Sequence, residues 1–511
     1  MDSPAMRWMR TLALLLAAAL VLGACTSTDE EESGSDSSDS VSGSADSLTV
    51  MEFNIEYGGK LIDFNSVIEA IELSGADVVA VEEAEENIPE IADELGWPYY
   101  DDALSVVSQK KLIPLPDNDA VLVELEPGKV VALTNVHLSS SPYSPGLIQN
   151  KNYPLDEVLI KEQGSRVPEI EAVLKKMQPL VDEGFPTVIA GDFNSASHHD
   201  WTEEMVGARP QIKYPVEWPV TVAVEGAGFV DSYRAIHPSP VEYPGLTWPA
   251  ARPELEKGWN PRADAPADRI DMIFSTGPMT ATDSWVMGEE GAADSVKSVT
   301  PWPTDHRAVI SSFDVDLAKV PSLPDLVSVP SQLVEVGEDL EVTFHGTGAE
   351  GESVTVTSEG SPVVEASTDG KTDGSVTFDT NDWASAPHEI SLVSIDGTDL
   401  ASITVWALDP NEGPTISTGK KSYSVGESID VSWYGAPGNR WDWVGTFKRG
   451  AKNGQYIQYE YTGATVVGET KISSKSPGPW PLEPGKYSMR LLLNDGYVSV
   501  AETDFVVVAE G

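Results

Sequence analysis

Met51-Glu52-Phe53-Asn54, Val81-Glu82-Glu83, Gly191-Asp192-Phe193-Asn194 and Thr304-Asp305-His306 lie at the ends of apolar runs of β type or just past them. The runs read LTVMEFN, DVVAVEE and PTVIAGDFN, and PWPTDH leads into RAVISSFDV. A strand that ends in Asn, Asp or Glu delivers a polar side chain to the rim of a sheet, where loops build active sites. Several such ends pointing one way would gather oxygen ligands and an imidazole. That inventory suits binding of a hard divalent cation and hydrolysis of a phosphate ester.

Each position has its own logic. A cation such as Mg²⁺ takes few carboxylates and shares its shell with water and substrate oxygens, which makes the strand-end Glu83 a candidate ligand. Glu82 precedes it and is expected as a solvated neighbour on the other face, because strand side chains alternate. Asp192 and Asn194 are two apart on an extended chain and face one side. Gly191 lets the chain turn with substrate close by. His306 can exchange a proton at an attacking or leaving oxygen near neutral pH. His137 closes the apolar run of residues 130–136, and Asp271 closes Asp268-Arg269-Ile270-Asp271.

Six such motifs stand in an order that resembles the endonuclease/exonuclease/phosphatase superfamily, the DNase-I-like fold, from about residue 47 to 316. The resemblance implies an α/β (α+β) domain, a four-layer α/β sandwich of two mostly antiparallel sheets with helices outside. It implies metal-dependent cleavage of phosphomono- or phosphodiesters with Mg²⁺ or Mn²⁺. Asn54 would stand beside Glu83 at the metal, and Asp305 would complete the shell. Asp192 would position or deprotonate the nucleophilic water or protonate the leaving group, and Asn194 would donate to the phosphate. Asp271 would fix the tautomer of His306, and His137 would contact the scissile phosphate. The carboxylate orienting His137 would be Asp117 or Asp119. The chain departs from the family at Glu82, usually Gln, and at Ser108-Gln109, where Ser-Arg is common and Lys110 is the candidate replacement. Ser197-His198-His199-Asp200-Trp201 resembles an extension in a bacterial subgroup. With Pro301-Trp302-Pro303 it suggests tryptophans framing the pocket mouth. The two adjacent His would hold the rim loop, or bind a second metal.

The elements that must position these residues are legible in part. Residues 64–73 carry Val67, Ile68 and Ile71 at helical spacing, closed by Gly75. Residues 165–180 place Ile170, Val173, Leu174 and Met177 on one face, with Pro168 in the first turn. Residues 197–226 and 249–268 read as rim loops. After residue 316 helical periodicity disappears. Residues 336–344 (VGEDLEVTF) and 425–433 (VGESIDVSW) repeat at an offset of 89 with the alternation of half-buried strands. The expected organisation is a catalytic domain over 48–316, a linker over 317–330, and two all-β immunoglobulin-like sandwiches over 331–409 and 410–511. Trp441-Asp442-Trp443 is expected to fill the second sandwich core, with a binding patch as the alternative. With no acid–base cluster in either, the sandwiches are expected to be spacers or adhesion modules dispensable for the chemistry.

The chain carries 32 Lys and Arg against 82 Asp and Glu, a net charge of −50. Within residues 47–316 the balance is 18 against 46. Such a surface repels nucleic acid, whose non-specific affinity comes from Lys and Arg; it also suits an extracellular or salty habitat. The lone cysteine, Cys25, follows a basic start and a short apolar run, and Leu22-Gly23-Ala24-Cys25 resembles the bacterial lipobox. The expectation is a signal peptide over 1–24, lipidation at Cys25, and a polar tether over 25–47. The protein would be an extracytoplasmic monomer anchored to the bacterial cell membrane through its lipid. The expected function is a surface-anchored phosphoesterase acting on a small organic phosphate or lipid headgroup. The alternatives are a secreted nuclease and a non-catalytic binding protein; a complete motif set argues against the latter.

Overall fold

The strand from Ser47 to Asn54 organises the catalytic half, because its alternation serves two layers at once. In this computed structural model, which describes residues 46–115, 119–261 and 266–509, Leu48 and Val50 face a second sheet while Met51 and Phe53 face helices. Cys25 and the signal and tether segments up to residue 45, with Asp117, lie outside the described residues.

The first sheet has seven strands in the order Ser295–Ser298, Met279–Gly288, Ala308–Val315, Ser47–Asn54, Val78–Glu82, Val106–Ser108, Tyr99–Asp101. The second has six: Leu112–Leu115, Ala120–Glu126, Lys129–His137, Thr187–Asp192, Asp271–Thr276, Val230–Asp231. Most neighbours are antiparallel; Ser47–Asn54 with Val78–Glu82, Met279–Gly288 with Ser295–Ser298, and Lys129–His137 with Thr187–Asp192 are parallel. Inward side chains of both sheets form one apolar cluster. The helices Phe64–Ser74 and Ile88–Leu95 cover the outer face of the first sheet, and Arg166–Asp182 and Pro219–Gly226 that of the second. Four layers result, as the motif order implies. The Phe64–Ser74 helix starts on the Asp63 cap and ends at left-handed Gly75. Residues 197–226, expected as loops, contain a 3-10 turn, His198–Asp200, and two short α-helices, Glu203–Ala208 and Pro219–Gly226. Their prolines and tryptophans hide a helical period too short to show in sequence.

Beyond residue 325 two all-β units follow, each a three-stranded sheet packed on a five-stranded one around its own core. The strand orders are the same: the repeated segments become Asp339–His345 and Ile429–Tyr434, each central in its three-stranded sheet. The expected linker needs correction. Val320, Leu323 and Leu326 pack into the catalytic core, and Leu326–Ser328 is already a strand paired with Asp339–His345. Apolar residues spaced by prolines were mistaken for a passive connector.

The second unit is not held apart from the catalytic domain but packs on it. Arg440 N–H donates to Ala103 O at 2.8 Å, and the Arg440 guanidinium lies 3.4 Å from Asp119. Tyr459 OH donates to Ser139 Oγ at 3.3 Å, and Tyr497 stacks on Tyr57 with centroids 6.2 Å apart. These contacts ring the C-terminal rim of the catalytic sheets.

Candidate active site

Register brings the chemistry together. In the six-stranded sheet His137 pairs with Asp192 and Asp192 with Asp271, so three strand ends are cross-strand neighbours. Gly191 is obligatory there: with φ +142°, a Cβ would meet the carbonyl oxygen of Val136 at 1.9 Å. From the other sheet, Asn54 Nδ2 donates to Asp192 Oδ2 at 3.3 Å and to Glu83 Oε1 at 3.2 Å, joining the two sheets at their rim. Thr304 pins the last motif, its hydroxyl donating to Asn54 O at 3.0 Å and accepting from His306 N–H at 3.2 Å. His306 Nδ1 lies 2.9 and 3.1 Å from the Asp271 oxygens, which fixes Nδ1 as the protonated nitrogen facing the carboxylate and turns Nε2 toward Asp192 Oδ2, 3.8 Å away. His137 Nε2 approaches the same oxygen at 3.7 Å.

Burial sets the electrostatics. Asp192 is 1 % exposed, and loss of water, reinforced by Asp271, lifts its carboxyl to about 6 against the pull of the two imidazoles. Burial alone would depress His306, but Asp271, Asp305 and Asp192 together hold it well above its ordinary value. His137 is likewise depressed by burial, yet the hydrogen bond and charge of Asp495 raise it to about 10. Asp495 Oδ2 stands 2.9 Å from His137 Nδ1. One carboxylate thus lies between two imidazolium-favouring histidines.

Glu83 leaves its strand at φ +52° and accepts from Tyr57 N–H at 3.3 Å. Asp305 is 7 % exposed and accepts from Trp248 Nε1 at 2.9 Å. Among the described residues no Lys or Arg forms an ion pair with Glu83, Asp192, Asp271 or Asp305, and the partners they have are amides, an indole and imidazoles. Asp192, Asp271 and His306 present ligand atoms within 4.8 Å of one another. Oxygen donors with this much unbalanced negative charge fit a hard divalent cation.

Residues 51–306 match the endonuclease/exonuclease/phosphatase family. An uncharacterised protein of Caenorhabditis elegans is 30% identical over 291 residues, 52% of this chain and 91% of its own length. The chain belongs to the endonuclease/exonuclease/phosphatase family. Solved structures similar to it include an endonuclease/exonuclease/phosphatase from Beutenbergia cavernae, 18% identical with a TM-score of 0.32, covering 70% of this chain and 99% of that one. An AP endonuclease from Archaeoglobus fulgidus is 16% identical with a TM-score of 0.33, covering 52% of this chain and 100% of that one. The fold is a DNase-I-like α/β domain followed by a large all-β region.

The geometry gathers Asn54, Glu83, His137, Asp192, Asp271 and His306 into one chain of contacts, with Asp305 beside them on Trp248. Several finer expectations change. Asn194 donates to Leu138 O at 2.9 Å and to Asp192 Oδ2 at 3.1 Å, so both its amide hydrogens orient the protein rather than a phosphate. The orienting carboxylate of His137 is not Asp119, which pairs with Lys176, but Asp495, 358 residues away. No local pattern could have shown it. Lys110 sits at the far end of its strand on Asp77 and does not replace a missing cation. Trp201 and Trp302 are buried at 1 % and 2 % and do not line the cleft; Trp443 lines it, Trp441 stands edge-on to His137, and Trp248 reaches Asp305. Trp443 packs with Phe447 and Leu492 in a core of the second unit, as expected, and also turns ring surface to the cleft. Asp442 accepts from the backbone of Asn439 and Asn494 and ties this loop to the turn bearing Asp495. Asp200 is clamped between Arg234 and Arg269, and His198 and His199 both reach Glu225 on the helix Pro219–Gly226. That holds the rim loop and also leaves a group able to take a metal.

Glu82 corrects another expectation. Val78, Ala80 and Glu82 share the inter-sheet face, so Glu82 is fully buried rather than solvated. It meets Glu52, equally buried, and no donor reaches any of their four oxygens among the described residues. Burial drives Glu52 well up and Glu82 to about 8, and one shared proton supplies the missing donor. The folded state then holds this proton more tightly than the unfolded chain. Stability of the metal-free protein therefore rises as pH falls from about 8 toward the unfolded carboxyl value near 4.3. Glu82→Gln supplies a permanent donor. In melts with EDTA it raises stability at pH 8.5 by ~1–3 kcal/mol, the cost of an unsatisfied buried group, with the gain vanishing near pH 5. Equal melting temperatures at pH 8.5 would show that the pair costs nothing.

Proposed function

We propose that this protein is a surface-anchored, Mg²⁺- or Mn²⁺-dependent phosphoesterase that cleaves phosphomono- or phosphodiesters by in-line attack of water. The observation carrying this reading is Asp192 held between His137 and His306 at the rim where Asn54 and Glu83 converge. A cation held by Asn54, Glu83 and Asp305 would neutralise charge on the phosphate oxygens. Asp192, poised near 6, accepts a proton from a water set against it. His306 is fixed by Asp271 with Nε2 toward the reacting oxygens, where it donates a proton or a hydrogen bond. His137, charged through Asp495, steadies a non-bridging oxygen.

The substrate is taken as a small organic phosphate or lipid headgroup, because the site is bordered by carboxylates and aromatics and the chain carries a charge of −50. Hydrolysis of an aryl phosphodiester or monoester with Mg²⁺ or Mn²⁺, abolished by EDTA, is the expected result. A panel of plasmid DNA, RNA, inositol phosphates and phospholipids places the substrate; efficient DNA cleavage at physiological salt would favour the nuclease reading. Anchoring rests on the Leu22-Gly23-Ala24-Cys25 motif, and Cys25→Ala should move the protein from the membrane to the soluble fraction.

A further inference from the structure

Aromatic residues crowd one face of the second β-unit where it meets the catalytic rim. The strands Trp443–Lys448 and Tyr456–Tyr461 pair so that Trp443 lies opposite Tyr461 and Gly445 opposite Tyr459. Gly445 keeps that face flat: a Cβ there would meet the Trp443 ring at 2.6 Å. Around Trp443 the rings of Tyr456, Tyr459 and Tyr497 stand edge to face, with centroids 5.3, 6.1 and 6.5 Å away. Tyr57 of the catalytic domain closes the far side against Tyr497.

The cleft these rings enclose measures about 170 Å³ and opens directly onto His137 and Glu83. Its charged lining is Glu83, Glu85, Asp495 and His137, with no Lys or Arg among the described residues. Most of the hydroxyls are spoken for: Tyr461 OH on Asp495 at 2.6 Å, Tyr459 OH on Ser139, and those of Tyr57 and Tyr497 on each other. Three carboxylates stand against the one imidazolium of His137, so the cleft offers a ligand ring surface and net negative charge. Aromatic faces carry the negative lobe of the ring quadrupole, and such cages recognise organic ammonium ions. A second phosphate would be repelled by the same carboxylates. The volume falls below the ~300 Å³ of sites for drug-sized ligands, so the occupant is a headgroup rather than a long chain.

We propose that this cleft is a subsite for a small organic cation, an alkylammonium group carried on one ester oxygen of the phosphate. The proposal rests on the phosphoesterase reading, since His137 and Glu83 at the floor place the phosphate. Substrate and water would give a phosphomonoester and an alcohol: the water oxygen bonds to phosphorus, one P–O ester bond breaks, and the departing oxygen takes up a proton. The cation could belong to a soluble ester or to a lipid headgroup, which share this chemistry.

The test compares two aryl diesters with the full chain and Mn²⁺: p-nitrophenyl phosphorylcholine and its uncharged isostere, 3,3-dimethylbutyl p-nitrophenyl phosphate. Both release p-nitrophenol, so their kcat/KM ratio isolates the positive charge. A preference of about tenfold or more for the choline ester is expected, reduced to within a few-fold by Tyr456→Leu combined with Tyr497→Leu, two residues partly exposed at the mouth. A parallel titration with tetramethylammonium chloride in EDTA, read by tryptophan fluorescence, should show saturable binding that the double variant loses. Mixed micelles of a choline phospholipid against an anionic one separate the sources: faster turnover of choline micelles assigns the lipid, and turnover of the soluble ester alone assigns the free ester. Equal turnover of both aryl diesters with no tetramethylammonium binding overturns the subsite and leaves the phosphoesterase reading intact. No turnover of either ester with Mg²⁺ or Mn²⁺ overturns that reading, and the tetramethylammonium titration then decides the subsite alone.

Discussion

His306→Ala lowers turnover of an aryl phosphodiester by about 10³-fold or more, a loss in the range for a positioned acid–base group. The imidazole is buried, its Nδ1 is fixed on Asp271 at 2.9 Å, and its Nε2 faces Asp192 at 3.8 Å. Removing it takes away the proton donor at the reacting oxygens. It also strips Asp271 of its partner, leaving a buried carboxylate unpaired at a cost of ~1–3 kcal/mol. Activity is therefore compared well below the melting temperature of the variant. Unchanged turnover per folded molecule would remove His306 from the chemistry. A linked sign follows from its raised folded-state value: the imidazolium stabilises the fold fully below the unfolded value near 6.5, and this contribution fades as pH rises through the folded value.

Much of this centre was legible because it obeys local rules. His137 and Asp192 end apolar runs, Asp271 opens one, and register makes these strand ends into neighbours. The pairing of His306 with Asp271 follows from the family resemblance alone. Glu82 shows where reading stopped short. The alternation Val78, Ala80, Glu82 already put it on the core face, but the charge of a Glu suggested solvent. Only the facing Glu52 and a shared proton make that burial tolerable. For Asn194, spacing gives the side of the chain and not the acceptors waiting there; without a ligand Leu138 O and Asp192 take both its hydrogens.

Asp495 was out of reach for a different reason. In sequence, Asn494-Asp495-Gly496 is a hairpin turn between the strands Gly485–Leu492 and Ser499–Val508, and such turns favour these residue types. In the structure Asn494 and Asp495 have φ of +48° and +56°, and the turn aims the Asp495 carboxylate across to His137. Positive φ at two successive non-glycine residues costs energy that the surroundings must offset. The offset is visible: Asp495 N–H donates to Trp441 O at 2.9 Å, Asp442 accepts from Asn494 N–H, and Tyr461 OH holds the other Asp495 oxygen.

The β-unit over residues 410–511 is accordingly part of the active site, and Asp495 is a positioning residue for His137. Asp495→Asn keeps the shape of the turn and removes the charge that raises His137 to about 10. Turnover of an aryl phosphodiester should fall about 10–100-fold, the usual cost of losing such a supporting carboxylate. The pH profile gives the sharper readout. With Asp495 gone, burial pulls the imidazole down, so the limb of the profile that reports His137 deprotonation moves to lower pH. A merely structural role would lower the rate and leave that limb in place. A double variant adds a check on coupling: His137→Ala with Asp495→Asn should be scarcely slower than His137→Ala alone, because both remove one device. Deleting residues 410–511 removes Asp495, the aromatic wall and the Arg440 contact together, and should cost at least as much as Asp495→Asn. Turnover within a few-fold of the full chain after that deletion, with the catalytic domain folded, would return the β-units to the role of spacers.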